Sequence, residues 1–135
     1  MNTPSDTRRR AIAIRQPWAW AVVHAGKDVE NRSETAIRAY RPAIGHRVYV
    51  HASKGMTRAE YERAAKFMAG LGIECPAPDG LEFGGVIGSV FVRDIVAWHR
   101  SRWFHGPFAL ALADPRPERF RRARGQVGLF RVQSQ

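Results

Sequence analysis

The stretch from Ala11 to Arg32 constrains the fold most strongly, because signals for a strand, a helix and a second extended segment follow one another in it. Ala11 to Ile14 favours a short strand, and Pro17 then stands where proline favours the first turn of a helix. Gly26 is expected to end that helix in the left-handed conformation, and Val29 to Arg32 can be extended. The apolar residues of the helix would share one face: Trp18, Ala21, Val22 and Ala25.

Three later segments also carry local signals. Val48 to Ser53 alternates, so that one set of residues suits a core and the other presents polar groups: Val48, Val50 and Ala52 against Tyr49, His51 and Ser53. Thr57 and Glu60 have the spacing of a capping box and predict a helix. Gly84 to Trp98 is rich in β-branched and aromatic residues and predicts a strand bent at Gly88.

The remaining segments complete the predicted fold. Phe108 to Ala113 and Val127 to Val132 favour strands, whereas Ser33 to Gly45 is expected to be a charged loop. Pro115 and Pro117 indicate a basic connection between the last two strands. Strands interrupted by helices favour an α+β fold, a small and mostly antiparallel β-barrel with two or three flanking helices.

The length and the charge limit the domain count and the partners. With 135 residues, 44% of them hydrophobic, residues 11–135 are expected to form a single domain behind a flexible basic arm of residues 1–10. The net charge of +10 makes RNA or DNA the first partner to consider. The alternative is an ordinary solvated surface, since arginine outnumbers lysine strongly and GC-rich genomes produce the same skew.

The cysteine content and the hydropathy limit the covalent cross-links, the metal sites and the cellular location that the sequence predicts. Cys75 is the only cysteine, so an internal disulfide is excluded, and no Cys/His spacing indicates a metal site. We expect no cofactor. No signal peptide or membrane span is predicted, which favours a cytoplasmic location and no membrane partner. Oligomeric state and protein partners leave no signal in the sequence.

Four segments carry a family resemblance. GKDVENR, Gly26 to Arg32, resembles the ASCH-domain motif in which a glycine precedes K-x-x-E-x-R. IRQPWAW from Ile14, VHASK from Val50 and RGQVGLF from Arg124 are also similar to ASCH proteins. The resemblance implies a member of the PUA-like β-barrel superfamily with an RNA- or nucleotide-associated pocket lined by the motif residues.

The resemblance implies two different activities. Characterised ASCH proteins include an amidohydrolase that acts on an acetylated cytidine and a ribonuclease that acts on single-stranded RNA. The amidohydrolase-like members share the lysine, here Lys27, but have a threonine where this chain has Glu30. A mechanism with that threonine as nucleophile therefore does not carry over to this chain.

The charged residues of the motif predict one site. Lys27 and Lys54 are two of only three lysines, and lysine can lose its proton when it is desolvated, so both are candidates for acid/base roles. If residues 29 to 32 are extended, Glu30 and Arg32 share one face, where they can bind a base and a phosphate. The structural alternative is an ion pair that closes the turn under the barrel.

Tyr49, His51, Ser53 and Lys54 form a second candidate cluster. A histidine beside a tyrosine and a lysine can supply the acid and the base for phosphodiester cleavage through a ribose 2′-hydroxyl, without a metal. The alternative is a hydrogen-bonded structural histidine at His51.

The remaining candidates would bind the ligand. Trp18, with polar neighbours Arg15 and Gln16, can stack on a base. Further cations would hold the nucleic-acid backbone: Arg121, Arg122 and Arg124. The sequence thus favours an RNA- or nucleotide-binding module. The alternative is an enzyme, either a ribonuclease with Lys54 and Tyr49 or His51, or an amidohydrolase with Lys27 and Glu30.

Overall fold

A computed structural model of the chain describes residues 9–133. Its elements, in chain order, are β1 (Arg10–Ile14), α1 (Trp18–His24), β2 (Val29–Arg32), α2 (Glu34–Ile37), a 3-10 helix (Arg38–Ala43), β3 (Arg47–Ala52), α3 (Arg58–Gly70), a second 3-10 helix (Pro78–Gly80), β4 (Gly85–Val96), β5 (Phe108–Arg122) and β6 (Phe130–Arg131). The predicted arm, residues 1–10, lies mostly outside the described residues, and its last residue already belongs to β1.

The six strands form one mixed sheet in the order β2-β5-β4-β3-β1-β6. β1 and β3 are parallel, and every other neighbouring pair is antiparallel. The predicted α+β class with a mostly antiparallel sheet is therefore confirmed. The predicted barrel closure is not found, because the edge strands β2 and β6 do not pair within the described residues.

A side chain bridges part of the gap that an open sheet leaves. β6 pairs only with Arg10 and Ala11, so the edge of β1 at Ala13 extends beyond it. Arg32, at the end of β2, donates from Nη2 to the Ala13 carbonyl at 3.0 Å. The sheet is thus curled enough to bring β2 beside β1, and a guanidinium joins them where a barrel would have a backbone ladder.

Both faces of the sheet are buried at its centre. One face packs against α1, α2 and the first 3-10 helix through aliphatic residues such as Ile12, Val50 and Leu110. The other face carries a smaller cluster of Ala11, Tyr49, Val86 and Phe130. The alternation predicted for β3 is correct, but the face expected to present polar groups is itself covered, since Tyr49 is 1% exposed.

Local signals predicted the ends of the helices well. Gly26 follows α1 with φ +75°, as the left-handed stop requires. At α3, the Thr57 hydroxyl accepts from the backbone N–H of Glu60, and the Glu60 carboxylate accepts from the backbone N–H of Thr57. The predicted capping box is confirmed.

Two segments predicted as loops are regular. The expected loop Ser33–Gly45 holds α2 and the 3-10 helix, because the Ser33 hydroxyl caps α2 by accepting from Ala36 N–H at 3.1 Å. The expected proline connection is instead part of β5, which runs through to Arg122. Asp114 takes a φ of +52° there, and the strand register shifts beside it, so β5 accommodates the prolines at a bulge.

The predicted bend at Gly88 is confirmed as a shift in the register between β4 and β5. A Cβ at this position would lie 2.6 Å from the Arg116 carbonyl oxygen and 3.0 Å from a Val23 methyl group, so β5 and α1 approach too closely for any side chain.

The last predicted strand is much shorter than expected, only Phe130–Arg131. None of the helices in residues 9–133 has the length and apolar character needed to cross a membrane.

Candidate functional site

The motif residues Lys27, Glu30 and Arg32 form a continuous buried ion-pair chain. Lys27 Nζ donates to Glu30 Oε1 and to the Val29 carbonyl, each at 2.7 Å. Glu30 Oε2 lies 3.3 Å from Arg32 Nη2. Lys27 is 5% exposed and Glu30 8% exposed, so the charges compensate one another inside the protein. The ion pair of Glu30 and Arg32, which the sequence offered as the structural alternative to ligand binding, is present.

The lysine end of this chain opens into a small cleft between aromatic rings, which we call the aromatic cleft: Trp18, Lys27, Glu30, Asn31, Trp103 and His105. Lys27 Nζ lies 5.7 Å from the centre of the Trp18 ring, and Trp18 meets Trp103 edge to face. The cleft has a volume of about 180 Å³. Ligand sites are usually larger, about 300 to 1,000 Å³.

The arginine end of the chain lines a larger cavity of about 630 Å³, which we call the basic cavity. Its wall combines the ends of β1, β2 and β3, the first 3-10 helix and the segment after β5: Ala13, Arg15, Arg32, Ala36, Tyr40, His51, Ser53, Lys54, Gly84, and residues 122 to 128. Seven of the thirteen predicted site residues line this cavity: Arg15, Arg32, His51, Ser53, Lys54, Arg122 and Arg124. Glu30 lines the aromatic cleft and contacts Arg32.

The charge of the basic cavity is one-sided. Five cationic side chains line it, and no described Asp or Glu does: Arg15, Arg32, Lys54, Arg122 and Arg124. Lys54, Arg122 and Arg124 are exposed, so these charges stand at the mouth, whereas Arg32 is partly buried. The arrangement concentrates positive potential in a concave site, which favours an anionic ligand.

Two buried nitrogen atoms in the wall of this cavity lack a partner. Within residues 9–133, Arg32 Nε and His51 Nδ1 are the buried side-chain nitrogen or oxygen atoms without a hydrogen bond. Buried polar atoms are nearly always satisfied, by protein, water or a ligand. Both belong to residues that line one cavity, so the unsatisfied buried nitrogens of residues 9–133 are concentrated there.

The orientation of the His51 ring is fixed from both sides. His51 Nε2 lies 2.7 Å from the Ala123 carbonyl, and since a carbonyl only accepts, Nε2 carries a proton. In the neutral ring Nδ1 is then an acceptor. Phe130 packs edge to face at 5.6 Å, and a Cβ on Gly125 would lie 2.8 Å from the ring carbon Cε1. The glycine therefore lets the loop after β5 lie directly against the imidazole.

Arg15 is held at the rim by Glu60 of α3. Its Nε and Nη2 each lie 2.6 Å from one carboxylate oxygen, a bidentate pair. The hydrogen bond from Arg15 is the main cause that lowers the pKa of Glu60 to about 2, and the same bond raises the pKa of Arg15. The pair is largely exposed, so its role is to position the guanidinium rather than to stabilise the fold strongly.

The other predicted site residues lie elsewhere. Gln16 is buried and structural, because its amide donates to the Glu82 carbonyl and accepts from the Trp20 N–H. Trp18 lines the aromatic cleft, not the basic cavity. Tyr49 is buried under two guanidinium groups, and one of them belongs to Arg121, which does not line the cavity.

Sequence reasoning missed part of the wall. Tyr40, placed in a loop by the sequence, lies under the Arg32 guanidinium at 5.1 Å from its ring centre. The segment from Gly125 to Gly128 also forms wall, with Val127 99% exposed at the rim. The similarity of RGQVGLF to ASCH proteins was the one signal that marked this segment.

Compared with models of known protein families, the chain finds no match, and none of the curated proteins matches it. The ASCH resemblance therefore stays a prediction. No three His, Cys, Asp or Glu side chains within the described part of the chain are grouped so that they could hold a metal ion.

Proposed function

We propose that this protein is an ASCH-type domain that binds a nucleotide, free or at the end of an RNA strand, in the basic cavity. The observation that carries the proposal is the lining of this cavity of about 630 Å³. Five cations line it, of which Arg15 and Arg32 are paired with Glu60 and Glu30 behind the wall, and two buried nitrogens there lack a partner in the described part of the chain. That volume lies within the usual range for ligand sites.

The two ends of the cavity suit the two ends of a nucleotide. Lys54, Arg122 and Arg124 at the mouth can bind phosphate oxygens. Deeper in the wall, Arg32 Nε offers a donor and His51 Nδ1 an acceptor. This pair matches a base edge or a sugar hydroxyl, each of which combines an acceptor with a donor.

The sheet of the described residues is not closed into a barrel, but the bond between Arg32 and the Ala13 carbonyl brings the end of β2 beside β1. The basic cavity lies at this junction, since both residues line it.

The contacts favour binding over amidohydrolase chemistry. Lys27 Nζ already donates to a carboxylate and a carbonyl, and its cleft is small. A ribonuclease is the second candidate, because His51 and Lys54 line the same cavity. His51 Nδ1 would take the proton of a ribose 2′-hydroxyl, whose oxygen would then bond to phosphorus while the bond from phosphorus to the 5′-oxygen breaks. The departing 5′-oxygen would take a proton from water, and Lys54 would stabilise the charge that forms on the phosphate.

The test is calorimetric titration with uridine and cytidine monophosphates. The double variant Lys54→Gln, Arg124→Gln removes two exposed cations of the mouth. We expect its affinity to fall about 10-fold or more, since charge-assisted hydrogen bonds contribute roughly 1.5 to 3 kcal/mol each. The matched control Arg63→Gln, Lys66→Gln removes two cations of α3, outside the basic cavity.

Equal losses in both double variants, or no saturable binding by the wild-type protein, would refute the proposal. The ribonuclease candidate is tested in parallel with single-stranded RNA and EDTA. If the wild-type protein shortens the RNA and Lys54→Met does not, this cavity catalyses RNA cleavage and does not only bind the nucleotide. Intact RNA would exclude the ribonuclease.

A further inference from the structure

Four arginines continue the positive charge from the basic cavity along the sheet, and we call them the arginine row: Arg9, Arg47, Arg116 and Arg121. Arg47, Tyr49 and His51 are alternate residues of β3, so their side chains share one face. Ser89 stands opposite Tyr49, and Arg116 stands opposite Ser89 on the next strand. In the same way Arg121 stands opposite Val86, the partner of His51. The row therefore begins beside the cavity wall.

Tyr49 supports the middle of the arginine row. The Arg9 and Arg121 guanidinium carbons lie 5.1 and 4.9 Å from the centre of its ring. Cation–π contacts of this kind hold a guanidinium flat without using its N–H donors. Arg121 also donates from Nη1 to Glu118 at 3.0 Å.

Asp114 organises the far end of the row. Its carboxylate oxygen Oδ2 lies 2.5 Å from Arg47 Nη2 and 2.7 Å from Arg116 Nη2. Arg47 also donates to the Ser89 hydroxyl at 2.9 Å. Three of the four guanidinium groups thus contact two carboxylates, Asp114 and Glu118, so the four arginines carry an excess of positive charge. Arg116 has 60% of its side chain exposed and can reach a ligand.

We propose that the arginine row is a track for the sugar–phosphate backbone of single-stranded RNA whose terminal nucleotide occupies the basic cavity. This inference rests on the proposed function and specifies its ligand as a strand rather than a free nucleotide. From Arg47 to Ala52, β3 extends about 17 Å, at about 3.3 Å a residue. That length spans more than one nucleotide.

The shape of the surface favours a single strand over a duplex. The basic cavity has a volume of about 630 Å³, and its deepest groups would be out of reach of a paired base. The row offers guanidinium donors and few other polar groups, which suits phosphates and carries no base readout. We therefore expect affinity that grows with strand length and depends little on sequence beyond the terminal nucleotide.

The experiment compares uridine monophosphate with oligouridylates of about two, four and eight nucleotides, by fluorescence anisotropy competition over a range of salt concentrations. We expect affinity to rise from the monophosphate to the longest strand. The variant Arg116→Gln is expected to reduce the ratio of octamer to monophosphate affinity several-fold and to lower the slope of log K against log salt by about 0.7. Arg63→Gln, an exposed arginine of α3, is the matched control.

Arg116 is exposed, so its replacement does not threaten the fold; circular dichroism checks this. The inference is overturned if the octamer binds no more tightly than the monophosphate, or if Arg63→Gln reduces the ratio as much as Arg116→Gln. In either case tight monophosphate binding would leave the proposed function standing. Loss of all nucleotide binding in the wild type would instead refute the proposed function.

Discussion

Replacing Glu30 by glutamine tests whether the motif carboxylate is a structural partner of Lys27 and Arg32. The substitution keeps the size of the side chain and removes its charge. It leaves the Lys27 ammonium, 5% exposed, with two neutral acceptors, the Val29 carbonyl and the new amide oxygen, and without a charged partner. Arg32 keeps its bond to the Ala13 carbonyl.

The expected magnitude follows from this burial. Removal of one partner of a buried ion pair costs about 3 to 5 kcal/mol, because an uncompensated charge is left inside the protein. Glu30 is 8% exposed and contacts two cations, so we expect a loss at this scale. The melting temperature should fall by roughly 10 °C or more for a chain of this size.

The assay is urea unfolding at neutral pH followed by tryptophan fluorescence, with Glu62→Gln on the exposed face of α3 as the matched control. The control should change stability by less than about 0.5 kcal/mol. The double variant Lys27→Met, Glu30→Gln should recover part of the loss, since it removes the stranded charge. If Glu30→Gln costs less than about 1 kcal/mol, the carboxylate does not hold the ion-pair chain together.

Three further predictions concern single contacts. The pair with Arg15 lowers the pKa of Glu60 to about 2, so the stability that this pair contributes is lost as the pH falls from 4.5 to about 2. Glu60→Gln should reduce this acid-induced loss of stability by at most about 1 kcal/mol, because the pair is partly exposed. Urea midpoints at several pH values measure the difference. Gly88→Ala should cost about 1 to 3 kcal/mol in the same assay, since its Cβ would meet a β5 carbonyl at 2.6 Å, whereas Gly70→Ala meets nothing within 4 Å and should cost nothing. Gly125→Ala should weaken nucleotide binding several-fold in calorimetric titrations by displacing the imidazole in the cavity wall, and an unchanged affinity would contradict the proposed site.

The local signals in the sequence were reliable because the interactions behind them join near neighbours. The capping box of α3 joins Thr57 and Glu60, and the stop after α1 depends on the φ of Gly26 alone. β2 has the predicted bounds, Val29–Arg32. The pairing of Lys27 with Glu30 belongs to the same class, since three residues separate them.

The tertiary structure alone decided how the site residues are divided. The motif predicts one site, but Lys27 and Arg32 point to different cavities, because Arg32 crosses to the Ala13 carbonyl of another strand. His51 meets Gly125 only through the fold. A strand through two prolines also needed the register shift at Asp114. The amino-acid sequence therefore determined the elements and the chemical groups, whereas long-range strand pairing and side-chain bridges, which no local pattern encodes, determined which groups share a cavity.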